Sequence, residues 1–381
     1  MKKGIIILLA MVFAISFSFA QTNQNSTTQS GHRNISNVTQ NGTGNNAVQT
    51  QSGNENTADV SQDSDRNNSN ITQGGNKNAA TALQRSGAEF NLSVITQGGN
   101  ENTALTDQKD GANSNNQARI TQGGNKNDAT IVQAGSDVKD NMVDINQSGL
   151  LNYATVEQLY GSVQNNDINV EQFGNENDVI VSQADNIYGS VNNINQGGNL
   201  NDTFVTQMNA TGLQTNALNN ITQNGHRNTT VIDQTNFVVN TTNNISQGGN
   251  DNLATVNQRS IAGTNNSVDI VQNGNRNDAT VNQEIIGNAK ALLVQNGNDN
   301  KATITQKRTV YAFASIEVSI TQSGNNNTGV IEQVDATNSE STIIQSGNFN
   351  TFESHQTGNG NINFIDQLGN NNNAIIRQSG N

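Results

Sequence analysis

The sequence predicts an all-β fold, a β-solenoid of about fifteen stacked two-strand coils in a cross-β arrangement. Three observations predict it. Glutamine recurs at a near-constant spacing from Gln29 to Gln378. Between glutamines the residues alternate with the two-residue period of a β-strand. The composition, 31% hydrophobic and 4% aromatic with no Pro, Trp or Cys, is too lean for an ordinary globular core.

The N-terminal stretch MKKGIIILLAMVFAISFSFA stands outside the repeat. It has a basic start at Lys2 and Lys3, an apolar run from Ile5, and small residues around Ser18 and Ala20. These are the parts of a secretory signal peptide over residues 1–20, so the mature chain is expected to begin near Gln21. No other apolar run is long enough to span a membrane. Export without a single cysteine leaves no disulfide to hold the fold. The formal charge of −13 argues against nucleic acid as a partner, since that needs a basic surface.

Residues 21–381 read as one repeat domain. Most Gln-to-Gln intervals are eleven residues, and from Gln84 to Gln345 they alternate strictly between eleven and twelve to sixteen. The unit ending at Gln133 shows the strand: Asn127, Ala129 and Ile131 fall on one face, Asp128, Thr130 and Val132 on the other. The same reading works at Asn252, Ala254, Val256 and Gln258. One unit is therefore a strand plus a turn, and two units make a coil. The alternating intervals mean that the two turns of a coil differ. One is tight and rich in Gly and Asn, with Gly75, Gly99, Gly124, Gly149 and Gly174 at matching places. Glycine there supplies backbone angles that other residues resist. The other turn is longer and irregular, as in RSGAEF after Gln84 or KDGANSN after Gln108, and these insertions all fall on one edge. Coils rising about 4.8 Å each would give a body about 70 Å long, and the missing Pro fits strands that have neighbours on both sides.

An inward amide is costly unless its hydrogen bonds are met. Stacking can meet them. Gln73, Gln97, Gln122, Gln147 and Gln172 occupy equivalent positions on successive coils, and Asn78, Asn102, Asn127, Asn152 and Asn177 form a second such column beside the turn. Both columns are expected to be amide ladders of the cross-β kind. The apolar contribution, one Ala and one Val or Ile per unit, is thin, so backbone and amide hydrogen bonds must supply most of the cohesion. Outward charges such as Lys77, Glu101 and Asp128 read as solubilising residues.

A stack has two open ends, and soluble solenoids cover theirs with atypical capping repeats. The first unit, from Asn23 to Gln29, and the last, ending at Gln378, both keep the strand rhythm. Asn23, Gln29 and Gln40 at one end, with Gln367 and Gln378 at the other, are therefore candidate assembly residues. Head-to-tail contact of unlike but complementary ends does not close and makes filaments.

The motif Q-x-G-x-x-N-x-A-x-x-x-Q, repeated in units such as QGGNKNDATIVQ from Gln122 to Gln133, resembles that of the curlin family, the subunits of curli, the bacterial functional amyloid. The resemblance covers nearly the whole mature chain. It implies a left-handed cross-β coil, secretion across the outer membrane through a dedicated pore, nucleation by a minor curlin, and extracellular fibres for biofilm matrix and adhesion. Within that family the regular units suit a major subunit, and a minor nucleating subunit is the alternative. The chain is longer than the familiar curlins and lacks the Gly-rich segment that precedes their repeats.

No catalytic, metal or cofactor site is expected. His32 and His226 sit in GHRN turns and His355 precedes Gln356, with no clustered ligands in the pattern. The GGN strings carry no GK[ST] and open no helix, so they are not phosphate loops. Two non-enzymatic alternatives remain. An ice-binding solenoid needs a regular Thr array, but the column Thr72, Thr96, Thr121 breaks into Asn146, Glu171 and Asn195. A non-polymerising surface adhesin needs blocked ends.

Overall fold

The computed structural model describes residues 22–110, 114–209, 214–260, 266–284, 287–308 and 313–380. The stretch read as a signal peptide lies outside them.

Every strand-length segment extends because the backbone of one coil bonds the next. Fifteen strands, from Gln24–Gln29 to Ile362–Leu368, form one parallel sheet. Fifteen more, from Ile35–Gln40 to Asn373–Ser379, form a second. Strands alternate between the sheets along the chain, so each sheet takes every other main strand and each coil contributes one strand to each. The Gln positions stay in phase: Gln73 pairs Gln97, which pairs Gln122, in the first sheet, and Gln108 pairs Gln133, which pairs Gln158, in the second. Register shifts occur at Gly287/Ala289 and Val334/Thr337, toward the long turns. A one-residue slip would turn every Ala, Ile and Gln outward, which is why the pattern holds.

The core is the seam between the sheets. Ala129, Ile131 and Gln133 are buried, while Asp128, Thr130 and Val132 are half-exposed. One apolar cluster runs the length of the stack, from Ala47 to Ile365. Its two ends differ. Inward positions of the first two coils hold Thr27, Ser36 and Gln49, with Ser36 donating to Gln49. The last coil presents Ile365, Ala374 and Ile376.

The longer turns are more ordered than the sequence suggests. Asp137–Lys139, Ser162–Gln164, Ile187–Tyr188 and Gln214–Thr215 pair in parallel as a third, four-stranded sheet. Val138, Val163 and Ile187 are fully buried beneath it. Stacking creates this sheet: once the coils are in register, similar turn segments lie one above the other and bond as the main strands do. The turn after Gln306 lies partly outside the described residues.

Candidate functional site: amide ladders and open ends

The glutamine column forms a continuous chain of side-chain hydrogen bonds. Gln73 Nε2 donates to Gln97 Oε1 at 2.8 Å, Gln97 to Gln122 at 2.9 Å, Gln122 to Gln147 at 2.9 Å, Gln147 to Gln172 at 2.8 Å, and Gln172 to Gln196 at 2.9 Å. The second sheet carries a matching column, as from Gln108 to Gln133 and from Gln133 to Gln158, both at 2.9 Å. The amide also reaches backbone carbonyls of its own and the preceding coil. Gln73, for example, also donates to Asn78 O in its own coil and to Thr57 O in the coil before. Fully satisfied amides at zero exposure are tolerable in a dry seam, and a chain of them is cooperatively polarised.

The asparagine column works differently. Asn78 Oδ1 accepts the backbone N–H of Asn102 at 3.0 Å, and Asn78 Nδ2 donates to Gly99 O at 2.7 Å. Asn102, Asn127, Asn152 and Asn177 repeat this, each accepting from the next Asn N–H and donating to the next turn's glycine carbonyl. Each therefore clamps its coil to the backbone of the one that follows. The glycines are held to their identity chiefly by crowding. A Cβ on Gly99 would meet Gly124 O at 1.7 Å, and one on Gly124 would meet Gly149 O at 1.8 Å. Gly75 and Gly149 also have left-handed φ, of 84° and 116°.

A third ladder escaped the sequence reading. Asn192, Asn219 and Asn243 lie fully buried inside the seam. Asn219 donates to Asn192 at 2.7 Å and Asn243 to Asn219 at 2.8 Å. Each also reaches across to the opposite sheet, onto Gln207, Gln234 and Gln258. The string NNI one residue before the Gln, as NNINQ, NNITQ and NNISQ in three consecutive coils, was the visible signal. The ladder ends where Val268 replaces Asn, leaving Asn243 Oδ1 buried without a partner.

At the ends the ladders are open. Gln29 and Gln40 donate to Gln51 and Gln62 at 2.6 and 2.8 Å, and among the described residues nothing donates to their own Oε1. Asn23 Oδ1 accepts the Asn45 N–H at 3.0 Å. Gln367 and Gln378 accept from Gln345 and Gln356, both at 2.8 Å, and their Nε2 groups turn to the carbonyls of Thr351 and Ile362. One end offers amide acceptors and the other amide donors. Among the described residues no element covers either end strand.

The histidines form no site. Among the described residues no His, Asp and Glu cluster suits a metal. His355, however, is not isolated as its sequence neighbours suggest. Its ring bonds Glu353, two residues earlier, and Glu332, which stacking brings in from 23 residues away. The hydrogen bond to Glu353, then that to Glu332, hold its pKa above the ordinary value, and His355 in turn lowers that of Glu353. Asp128, Asp144, Asp167, Asp178 and Asp202, half-buried on the sheet faces, are shifted upward by desolvation. No helix among the described residues is long and apolar enough to cross a membrane.

A parallel two-sheet stack, cemented by amide ladders with unlike open ends, is a structural cross-β solenoid, and its fold points to a non-enzymatic role. A family model described as Curlin associated repeat matches residues 31–63, 114–137, 139–163, 263–307 and 315–347. The chain belongs to the curlin repeat family. The coils between the matched segments keep the same register and ladders. No curated protein matches the chain.

Proposed function

We propose that the chain, exported by a signal peptide over residues 1–20, assembles head to tail through its 21–381 solenoid into extracellular, curli-like amyloid fibres on a bacterial surface. The fibres would serve as biofilm matrix and adhesive. The observation that carries this reading is the complementarity of the ends. Gln367 and Gln378 each keep one amide N–H beyond those bonded to Thr351 O and Ile362 O, and Gln29 and Gln40 keep amide oxygens that accept nothing among the described residues. Stacking one chain on another would continue both columns. It would also let the Oδ1 atoms of Asn361 and Asn372 accept the backbone N–H groups of Asn23 and Asn34, as Asn23 and Asn34 do for Asn45 and Asn56. Unpaired edge strands at both ends favour the same addition. The regular units support a major rather than a nucleating subunit. Family likeness supports a minor curlin as nucleator and an outer-membrane pore as the route out.

The test is to release the mature chain from denaturant and follow thioflavin T fluorescence with electron microscopy. A parallel variant carries Gln29→Ala, Gln40→Ala, Gln367→Ala and Gln378→Ala. Fibres from the parent, with a longer lag or none from the variant, are expected. A parent that stays a β-rich monomer would sink the reading and leave a non-polymerising adhesin.

A further inference from the structure

The tight turns share a feature that neither the fold nor the ladders require. The fourth residue after each first-sheet Gln adopts a left-handed φ, from 53° to 59° across the fifteen coils. Glycine is the least strained residue there, and a side chain costs about 1 kcal/mol or more. Yet none of these fifteen positions is glycine. The backbone N–H of each such residue from the second coil on bonds the turn of the coil before, as Lys77 N does to Asn54 O at 2.9 Å and Glu101 N to Asn76 O at 2.9 Å. The side chains therefore stand in one outward column along the tight-turn edge.

Their charges alternate. The first five coils carry Arg33, Glu55, Lys77, Glu101 and Lys126. Coils nine to twelve carry Arg227, Asp251, Arg276 and Asp299. Between the two blocks lie Leu151, Glu176 and Leu200, all exposed. Ion pairs form along the column, Arg227 to Asp251 at 2.6 Å and Arg276 to Asp299 at 2.7 Å, with longer ones at Arg33 and Lys126. A guanidinium has five donors and a carboxylate about four acceptor sites, so each can serve a second partner.

We infer that this edge is a lateral contact between filaments of the same chain, in which two columns face each other displaced by one coil. The inference rests on the filament reading above. Two parallel columns set level would oppose like charges at every charged position. Displaced by one coil, Arg33 faces the partner's Glu55, Lys77 the partner's Glu101 and Arg227 the partner's Asp251. That arrangement gives seven opposite-charge contacts per chain and no like-charge contact. Antiparallel columns obey the same parity: Arg33 facing the partner's Asp299 and Glu101 facing the partner's Arg227 is complementary, whereas Lys126 against the partner's Arg227 is not. In both complementary contacts Leu151 meets the partner's Glu176, and the exposed apolar stretch is covered. Each exposed pair is weak, but the contact repeats along a fibre. At about 0.1 M salt the net negative charge of the filaments is screened beyond about 10 Å, while charges in contact still pair.

The test compares assembled filaments of three chains by cryo-electron microscopy and light scattering at about 0.1 M salt. The first is the parent. The second makes both charged blocks uniformly basic, through Glu55→Lys, Glu101→Lys, Asp251→Lys and Asp299→Lys. The third reverses every sign in both blocks and keeps the alternation. Parent and reversed chains are expected to form filament pairs joined at the tight-turn edge. The basic chain should form single filaments, with the paired fraction down about tenfold or more, because losing even a few exposed pairs suffices. Pairing of the basic chain at parental levels, loss of pairing in the reversed chain, or pairs joined through sheet faces or long turns would each overturn the inference. If the basic chain does not fold, the reversed chain and the position of the contact still decide. Single parental filaments defeat only the lateral contact; no filaments at all defeat the head-to-tail reading too.

Discussion

Gln122 shows how much one side chain carries. It accepts from Gln97 and donates to Gln147, both at 2.9 Å, and is fully buried. Gln122→Ala would leave a buried donor above and a buried acceptor below, at a cost of about 2–4 kcal/mol, measurable as a lower denaturant midpoint. The turn residues divide sharply. Gly124→Ala must push a Cβ into a backbone carbonyl 1.8 Å away and should destabilise the coil markedly. Two residues on, Lys126→Gly relieves a left-handed φ of 55° and should leave the midpoint unchanged or raised by about 1 kcal/mol. In thermal melts the Gly124 variant should fall well below the parent and the Lys126 variant should not. Both roles lie within one string, GGNKN, whose spacing was legible. That the first role is crowding from the next coil was not, because it depends on a neighbour 25 residues away in sequence.

Among elements, the main strands were legible because inward and outward residues alternate without interruption, as in Asp128–Ala134. The third sheet was not. Its strands are two or three residues long, too short for any period, and exist only because stacked turns meet. It should open without the main stack. Val163→Asp would place a charge beneath it, and hydrogen exchange should quicken at 162–164 and its neighbours while the Gln158 and Gln172 ladders stay protected. The buried Asn ladder was hidden for another reason: Asn is so common here, about a fifth of the chain, that Asn192, Asn219 and Asn243 did not stand out. Asn219→Val removes its middle rung and should cost about 2 kcal/mol despite adding apolar surface, because Asn192 Oδ1 and Gln234 lose a donor and Asn243 Nδ2 loses its acceptor.

At the scale of the whole molecule, pH acts in one direction through two kinds of group. Asp128, Asp144, Asp167, Asp178 and Asp202 have folded pKa values raised by desolvation, so the folded state binds protons more readily than the unfolded chain. Stability from these groups is present below the ordinary aspartate value and is lost as pH rises through the raised values. His355, raised by Glu353 and Glu332, contributes stability that is full below the ordinary histidine value and lost as pH rises through its own. The stack should therefore be more stable in mild acid than above neutrality. In stronger acid the trend should reverse, as Asp251 and Asp299, held low by Arg227 and Arg276, take up protons. Denaturant midpoints across pH should pass through a maximum on the acid side of neutral, and His355→Gln should flatten the limb nearest neutrality. The whole-molecule form followed from the sequence because one rule repeats. Unlike ends were expected as well, but which end donates and which accepts was not legible, since donor and acceptor directions belong to side-chain rotamers that the letters do not state.

The alternating edge also constrains how such a chain can change in length. The ladders are indifferent to the number of coils, since each Gln meets another Gln wherever a coil is cut out. The charged column is not. Excising the single coil that carries Glu101 would seat Lys77 directly against Lys126, whereas excising that coil together with its neighbour preserves the order of signs. Gains and losses within the charged blocks should therefore be tolerated in pairs, so that the chain counts its coils in twos although its backbone counts them singly.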